Sequence, residues 1–188
     1  MRESSVFKDL QTFIGTRKFV HLTRVYPSEP TLNGLVLDVG KDWVMLHQFH
    51  DFYPEGYTTL RVRDILEVRS GEYERHWERM MEGEGLFGQI VVPEMPLATL
   101  PSMLRALQQR GQNVIVECEN EDLDLENFYI GRILSVEDDS ISFANFDALG
   151  IWENQPHEIP TDEITKLQFD TPYLRAFSKY LRGPCPLR

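Results

Sequence analysis

His47, His50 and Asp51 are the residues whose types and spacing come nearest to a metal site. Two histidines three positions apart can bind one metal ion from a helix, where both lie on the same face. The surrounding segment is predicted to be a strand, in which residues three apart point to opposite sides of the sheet. We therefore expect surface histidines beside an aromatic turn, and no metal site.

An acidic run offers a second possible cation site. Side-chain oxygens occur at alternate positions, at Asn120, Asp122, Asp124 and Glu126, as at the start of a calcium-binding loop. The glycine expected at the sixth position and the glutamate expected at the twelfth are missing from this run. The pattern therefore favours a solvated acidic loop between two strands.

Common catalytic fingerprints are missing from the sequence. It has no Gly-x-Ser-x-Gly elbow, phosphate-binding loop, dinucleotide-binding glycine motif or Cys-x-x-Cys pair. Its two cysteines, Cys118 and Cys185, fall in a predicted buried strand and in the C-terminal tail. We expect a protein that is not an enzyme, with no catalytic residues and no cofactor.

Two arginines form the clearest basic feature. Arg61 and Arg63 are predicted to lie on or beside a strand, where residues two apart share a face. They could bind a phosphate, a carboxylate of a partner, or acidic side chains in the second half of the chain. The acidic composition favours ion pairs within the protein or at an interface over ligand binding.

Aromatic residues at predicted turns form the most promising contact surface. Turn tips are usually polar, so exposed rings there can mark a binding surface. The alternative is that the rings cover a junction between two halves of the protein, and the sequence leaves both interpretations open. Together with the arginines, the candidate interaction surface comprises Phe52, Tyr53, Tyr57, Arg61, Arg63 and Trp152.

A repeated pattern positions these residues. The stretch 34–77 contains short strands, tight turns and a closing helix, and the same order returns roughly a hundred residues later at 131–177. Val44 corresponds to Ile141 and Trp77 to Phe177. We expect a mainly β fold with flanking helices (α+β), made of tandem duplicated five-stranded barrels that each have an N-terminal and a C-terminal helix. The predicted boundaries are 1–85 for the first helix–barrel–helix repeat, 86–98 for a linker, 99–182 for the second repeat and 183–188 for a flexible tail.

Composition narrows the function classes. The chain has 188 residues, 41% of them hydrophobic, and a net charge of −11. No apolar run reaches the roughly 20 residues of a membrane helix, and no signal peptide is recognisable, so we expect a cytoplasmic protein without membrane contact. The negative charge opposes nucleic-acid binding, which depends on cationic side chains that neutralise phosphates.

The predicted unit, a helix followed by five short and strongly bent strands, resembles the Sm-like or SH3-like small barrel. Gly34 and Gly131 stand where such barrels bend sharply. The RNA-binding signature of the Sm family does not carry over, because Gly-Lys-Asp-Trp at 40–43 and Glu-Asp-Asp-Ser at 137–140 occupy its place. The stretches 51–68 and 146–169 also resemble an uncharacterised bacterial family of unknown function with a duplicated barrel. That resemblance implies a bacterial cytoplasmic origin and brings no activity.

Three functions follow from this sequence as hypotheses. The first is a non-enzymatic protein-interaction module that binds protein partners through its aromatic turns or an exposed strand edge. The second is RNA binding of the Sm-like type, and the third is small-molecule sensing through a pocket between the barrels. A homo-oligomer is compatible with each.

Overall fold

The computed structural model describes residues 2–186, apart from the side chains of residues 2–4 and 89. The first half of the chain contains α1 (Arg2–Gln11), β1 (Phe19–Arg24), β2 (Thr31–Val39), β3 (Trp43–His50), β4 (Tyr53–Arg61), β5 (Ile65–Arg69) and α2 (Glu72–Gly83). The second half contains α3 (Leu100–Arg110), β6 (Val114–Cys118), β7 (Asn127–Val136), β8 (Ser140–Asn145), β9 (His157–Pro160), β10 (Lys166–Phe169) and α4 (Pro172–Tyr180). Short 3-10 helices lie at Val62–Asp64, Leu86–Gln89 and Leu123–Leu125. Among the described residues, no helix has the length and apolar character that crossing a membrane requires.

All ten strands form one antiparallel sheet in the order β5-β1-β2-β3-β4-β10-β6-β7-β8-β9. The two halves meet where β4 pairs with β10. The expectation of a mainly β fold with flanking helices is confirmed. Two separate closed barrels are not observed, because the sheet is open and continuous, with β5 and β9 at its free edges.

Two glycines allow the strands beside them to approach closely. A Cβ atom on Gly34 of β2 would lie 2.4 Å from the carbonyl oxygen of His47, and one on Gly131 of β7 would lie 1.9 Å from that of Ala144. No side chain fits at such distances. The register shifts shortly after each glycine, between Val36 and Asp38 and between 133 and 135, and such irregularities bend a strand.

Helices cover the sheet because their apolar side chains recur with helical spacing. Val6 and Leu10 of α1 are buried against the first five strands, and Leu104 and Leu107 of α3 are buried in the core shared by both halves. Phe177 of α4 packs on a third cluster around Phe146 and Trp152.

The segment expected to be a linker is part of the core. Met95 and Leu97 are buried in the same cluster as Phe19 of the first half and Phe143 of the second half. Residues 86–98 therefore fix the two halves to each other as well as joining them. Residues 187 and 188 of the expected flexible tail lie outside the described part of the chain.

Candidate functional site

The pairing of β4 with β10 brings residues from distant parts of the sequence together. Leu60 lies opposite Lys166, and Tyr57 lies opposite Phe169. The ring of Tyr57 stacks on Phe169 at 5.2 Å between centroids and on His47 at 5.0 Å. The junction between the halves is therefore closed by a stack of rings that belongs to both.

A buried network of charges crosses the same junction. Arg24 of β1 donates hydrogen bonds through both terminal nitrogens to the carboxylate of Glu119. The bond from Nη1 to Oε1 is 2.9 Å long, and Nη2 donates to Oε2. Lys166, whose side chain is only 4% exposed, lies 2.9 Å from a carboxylate oxygen of Glu117 and also pairs with Glu29. Buried charges are tolerated only when partners replace the lost water, and this network supplies them.

The pKa values in this network follow from burial and neighbouring charge. Burial alone would lower the pKa of Lys166, but the carboxylates of Glu117, Glu29 and Glu119 outweigh it and raise that pKa above its ordinary value. Burial alone would raise the pKa of Glu119, but hydrogen bonding from Arg24 and the charge of Lys166 hold it below its ordinary value. Both groups therefore keep their charge at neutral pH.

The structure separates the two arginines that the sequence placed together. Arg61 is the last residue of β4, whereas Arg63 lies in the 3-10 helix that follows, so the two do not share a strand face. The guanidinium of Arg61 donates to Asp64 at 2.7 Å and to the hydroxyl of Tyr26 at 2.7 Å. It also donates to the carbonyl oxygen of Asp162 at 3.0 Å, which lies in the second half. Arg61 is thus engaged in contacts within the chain, while the side chain of Arg63 is 61% exposed and lies 3.8 Å from Asp64.

The predicted aromatic surface is divided between the interior and the exterior. Tyr57 is buried at the junction, and its hydroxyl donates to the carbonyl oxygen of Val91 at 2.8 Å. Trp152 is buried beside α4, and its indole N–H donates to the carbonyl oxygen of Gly183 at 3.2 Å. Neither ring is available to a partner, so these two residues do not form part of one exposed aromatic surface.

The two remaining aromatic candidates lie at the tip of the β3–β4 hairpin. Phe52 is partly covered by Trp77 of α2, with 5.5 Å between ring centroids. Tyr53 is 74% exposed. The hairpin therefore presents the ring of Tyr53 and part of the ring of Phe52, which is a small surface for protein recognition.

The histidines that were considered as metal ligands lie apart, and His47 is not the surface residue that was expected. His50 is exposed beside Asp51, whereas His47 is buried in the aromatic stack. Burial lowers the pKa of His47 to about 4, so its imidazole is neutral at physiological pH. Within residues 2–186 no group of three or more histidine, cysteine, aspartate or glutamate side chains is placed to hold a metal ion.

Cys118 is unsuited to nucleophilic chemistry. Burial raises the pKa of its thiol to about 12, with the nearby charge of Glu163 contributing in the same direction. A thiolate is the reactive form of cysteine, so this side chain behaves as an inert part of the core.

Sequence reasoning missed the apolar side chains of the acidic loop. Leu123, Leu125 and Phe128 are exposed by 57%, 60% and 54%. They alternate with acidic residues, and this pattern could have indicated a contact surface rather than a solvated loop. We name residues 119–128, which comprise the loop after β6 and the first two residues of β7, the acidic–apolar loop.

The chain was compared with protein-family models, curated proteins and solved structures. None of the three comparisons gives a significant match.

Proposed function

We propose that this chain is a non-enzymatic protein-interaction module that binds a basic, partly apolar protein segment through the acidic–apolar loop. The observation that carries the proposal is the exposure of three large apolar side chains within ten residues that contain no lysine or arginine. Exposed apolar clusters rimmed by charge are typical of interaction sites on soluble proteins.

The framework that holds the loop is, in this proposal, a duplicated Sm-like unit. The strands of the two halves follow the same order, β5-β1-β2-β3-β4 and β10-β6-β7-β8-β9. Gly34 and Gly131 make the same close approach, and the strand irregularities that follow occur at corresponding positions. Duplication accounts for these coincidences with the fewest assumptions, and the two units are joined edge to edge through β4 and β10.

The acidic–apolar loop is held firmly at its base. Glu119 is anchored by Arg24 and by the hydroxyl of Thr165, which donates at 2.9 Å. Glu126 accepts a hydrogen bond of 2.6 Å from Ser28 of the first half. A loop fixed at both ends loses less conformational entropy when a partner binds, which favours affinity.

Charge determines the kind of partner. Glu121, Asp122 and Asp124 are exposed beside the leucines. A partner that alternates lysine or arginine with leucine or aromatic residues would satisfy both the carboxylates and the apolar side chains. Such a partner would associate faster at low salt, because its charge is steered by the acidic surface.

A peptide-display selection tests this function. The chain is presented with random twelve-residue peptides, and the enriched sequences are compared with those of a Leu123→Ser/Leu125→Ser/Phe128→Ser variant. We expect enrichment of basic, partly apolar peptides by the native chain and at least tenfold weaker binding by the variant. Leu149→Ser is the matched control, because Leu149 is 64% exposed on a different loop. Equal binding by native chain and triple variant would reject the proposal.

Support for RNA binding is weaker. The two candidate arginines do not form a free basic surface, since Arg61 is held by Asp64 and Tyr26. The net charge of −11 repels a polyanion. Fluorescence titration with mixed oligoribonucleotides at low salt provides the test, and tight, salt-sensitive binding would favour RNA over a protein partner.

A further inference from the structure

The last helix of the chain, α4, carries a basic surface. From residue 171 to residue 188 the sequence contains four lysines and arginines and no acidic residue, although the whole chain has a net charge of −11. Lys179 and Arg182 are exposed, and neither side chain forms an ion pair within the described part of the chain. Arg175, by contrast, is paired with Asp170 at 3.0 Å. α4 and the residues after it therefore offer two cations that are available to the carboxylates of another molecule.

Exposed aromatic rings accompany these cations. Tyr173 is 49% exposed and Tyr180 is 80% exposed. The two residues are two turns apart in the helix, so their rings lie on the same face. A tyrosine offers both an apolar ring and a hydroxyl group, which makes it common in protein interfaces. We name Tyr173, Lys179, Tyr180 and Arg182 the basic–aromatic face.

α4 is fixed to its own sheet and does not reach its own acidic–apolar loop. Leu174 is buried beneath the helix, in the cluster that includes Phe146 and Trp152. The hydroxyl of Ser178 accepts a hydrogen bond of 2.9 Å from the side chain of Asn113. In the described part of the chain, no hydrogen bond, ion pair or ring contact joins α4 to the loop. Detaching the helix would expose the cluster to water, so the basic–aromatic face is presented to other molecules.

The corresponding helix of the first half lacks this character. At the position of Tyr173, α2 has Tyr73, which is 76% exposed, and Arg79 stands at the position of Lys179. α2 also contains four glutamates, however, whereas α4 contains none. The loop after β1 has Glu29 as its only acid, and that carboxylate is already engaged in the charge network at the junction. Both complementary surfaces are therefore confined to the second half.

The two surfaces of the second half complement each other in charge and in apolar area. The acidic–apolar loop presents the exposed carboxylates of Glu121, Asp122 and Asp124 beside large apolar side chains. The basic–aromatic face presents two cations beside two rings. An overall charge of −11 drives copies of the chain apart, but α4 has no acidic residue and does not repel the loop. Each surface therefore provides the opposite charges and the apolar contacts that the other can bind.

We propose that the acidic–apolar loop of one copy binds the basic–aromatic face of a second copy of this chain, so that the protein associates with itself. The loop carboxylates pair with Lys179 and Arg182, and the tyrosine rings cover the exposed leucines. Because the two surfaces differ, the contact is heterologous, and a pair joined by one contact keeps one loop and one helix face free. This inference rests on the proposed function, since it names the partner of the same loop.

Two variants that each remove one surface test this contact. The loop variant is the triple serine variant of the acidic–apolar loop, and the helix variant is Tyr173→Ser/Lys179→Glu/Tyr180→Ser. Sedimentation equilibrium of the native chain should give a mass that rises with concentration above the 22.0 kDa of one copy. Each variant alone should associate at least about tenfold more weakly. An equimolar mixture should form pairs with one copy of each variant and no larger species, because the loop variant keeps its helix face and the helix variant keeps its loop.

An exchange of charge between the two surfaces keeps the test valid if either triple variant does not fold. Glu121→Lys/Asp124→Lys makes the loop basic, and Lys179→Glu/Arg182→Glu makes the helix face acidic. Each double variant alone should associate more weakly than the native chain, because its altered surface repels the native surface of the next copy. A mixture of the two should recover the association, because the reversed loop attracts the reversed helix face.

Tyr73→Ser/Arg79→Glu on α2 is the matched control, and it should associate as strongly as the native chain. A native chain that stays at 22.0 kDa, or a mixture of variants that does not associate, would overturn the proposal. If such a chain still enriches basic peptides in the display selection, the proposed function stands and only the identity of the partner is wrong. If it binds neither the peptides nor a second copy, both proposals fail.

Discussion

The strand β10 lies in the middle of the sheet, whereas β5, which ends the first half in the same way, lies at its edge. β10 is flanked by β4 and β6, while β5 has only β1 beside it. The burial of the two strands differs accordingly: Lys166 and Leu167 of β10 are buried, but Leu66 and Glu67 of β5 are exposed. Strands with similar sequence patterns therefore differ in burial because they have different numbers of neighbouring strands.

Some features of the molecule occur in both halves, and others occur in one half only. The glycines, the strand irregularities and the strand order occur in both halves. The charge network around Lys166 spans the junction, whereas the imidazole of His47 and the acidic–apolar loop each occur in one half only. Ala144 takes the place of His47 in the second half. Binding is therefore proposed at a site that occurs in one half only.

The largest expected effect comes from the charge at the centre of the sheet. Lys166→Met would remove the buried cation with which the partly buried carboxylates of Glu29 and Glu117 pair. We expect the free energy of unfolding to fall by about 3–5 kcal/mol, measured by urea denaturation. Arg175→Met is the control for an exposed pair, because the side chains of Arg175 and Asp170 are 53% and 51% exposed. A loss of at most about 1 kcal/mol is expected there, and equal losses would remove the distinction between buried and exposed charge.

The next effect concerns His47 and pH. Its pKa is about 4 in the folded chain, below the ordinary value of 6.5, because the imidazole is buried. The contribution of neutral His47 to the free energy of unfolding is therefore complete above about pH 6.5. It is lost as the pH falls towards 4, because the unfolded chain takes up a proton on His47 more readily than the folded chain. Between pH 7 and pH 4.5 we expect the native chain to lose about 2–3 kcal/mol more stability than His47→Phe.

Parallel urea titrations of the native chain and His47→Phe at both pH values provide the measurement for His47. The comparison cancels the contributions of carboxylates common to both proteins, including Asp170 beside the imidazole. Parallel stability–pH curves would show that His47 is not buried in its neutral form.

The shared glycines should give a loss of stability in each half, larger at Gly131, where a φ of 156° also disfavours an L side chain. Gly34→Ala and Gly131→Ala each force a methyl group against a backbone carbonyl. We expect each to lower the free energy of unfolding by about 1–3 kcal/mol. Gly88→Ala is the control, because a Cβ atom there meets nothing within 4 Å. A large loss in one half alone would contradict the equivalence of the two strands.

The smallest effect is expected at the acidic–apolar loop. Replacing Leu123, Leu125 and Phe128 with serine removes exposed side chains, so the free energy of unfolding should change by no more than about 0.5 kcal/mol per site. Thermal melting of the triple variant measures this change. A loss of several kcal/mol would mean that these residues support the fold and are not a free binding surface.

Local patterns predicted much of the fold from the sequence. The apolar spacing of α3 and α4 and the matched positions Val44 and Ile141 depend on residues close in the chain. The pairing of β4 with β10 was not predictable in this way, because Tyr57 and Phe169 meet across more than a hundred residues. Their contact depends on how the halves are oriented, and short-range periodicity does not encode that orientation.

The surroundings of the candidate interaction residues were also not predictable from the sequence, because their partners are distant in the chain. Arg61 was recognised as a residue suited to ion pairs, but its partners Asp64 and Tyr26 emerge only from the folded chain. Trp152 looked like an exposed turn residue because its covering residues, in and after α4, come much later in the sequence. The leucines of the acidic–apolar loop were visible in the sequence, but only their exposure in the folded chain distinguishes them from core residues.

Amide hydrogen exchange, followed by NMR on the native chain, tests the central claim most directly. In a continuous sheet the adjacent amides of Leu167 and Gln168 bond to opposite neighbours, so both should exchange slowly. Of the adjacent amides of Glu67 and Val68 in β5, only the one directed at β1 should be protected. If Leu167 and Gln168 instead show the alternating protection of an edge strand, the two halves do not share one sheet and the account is wrong.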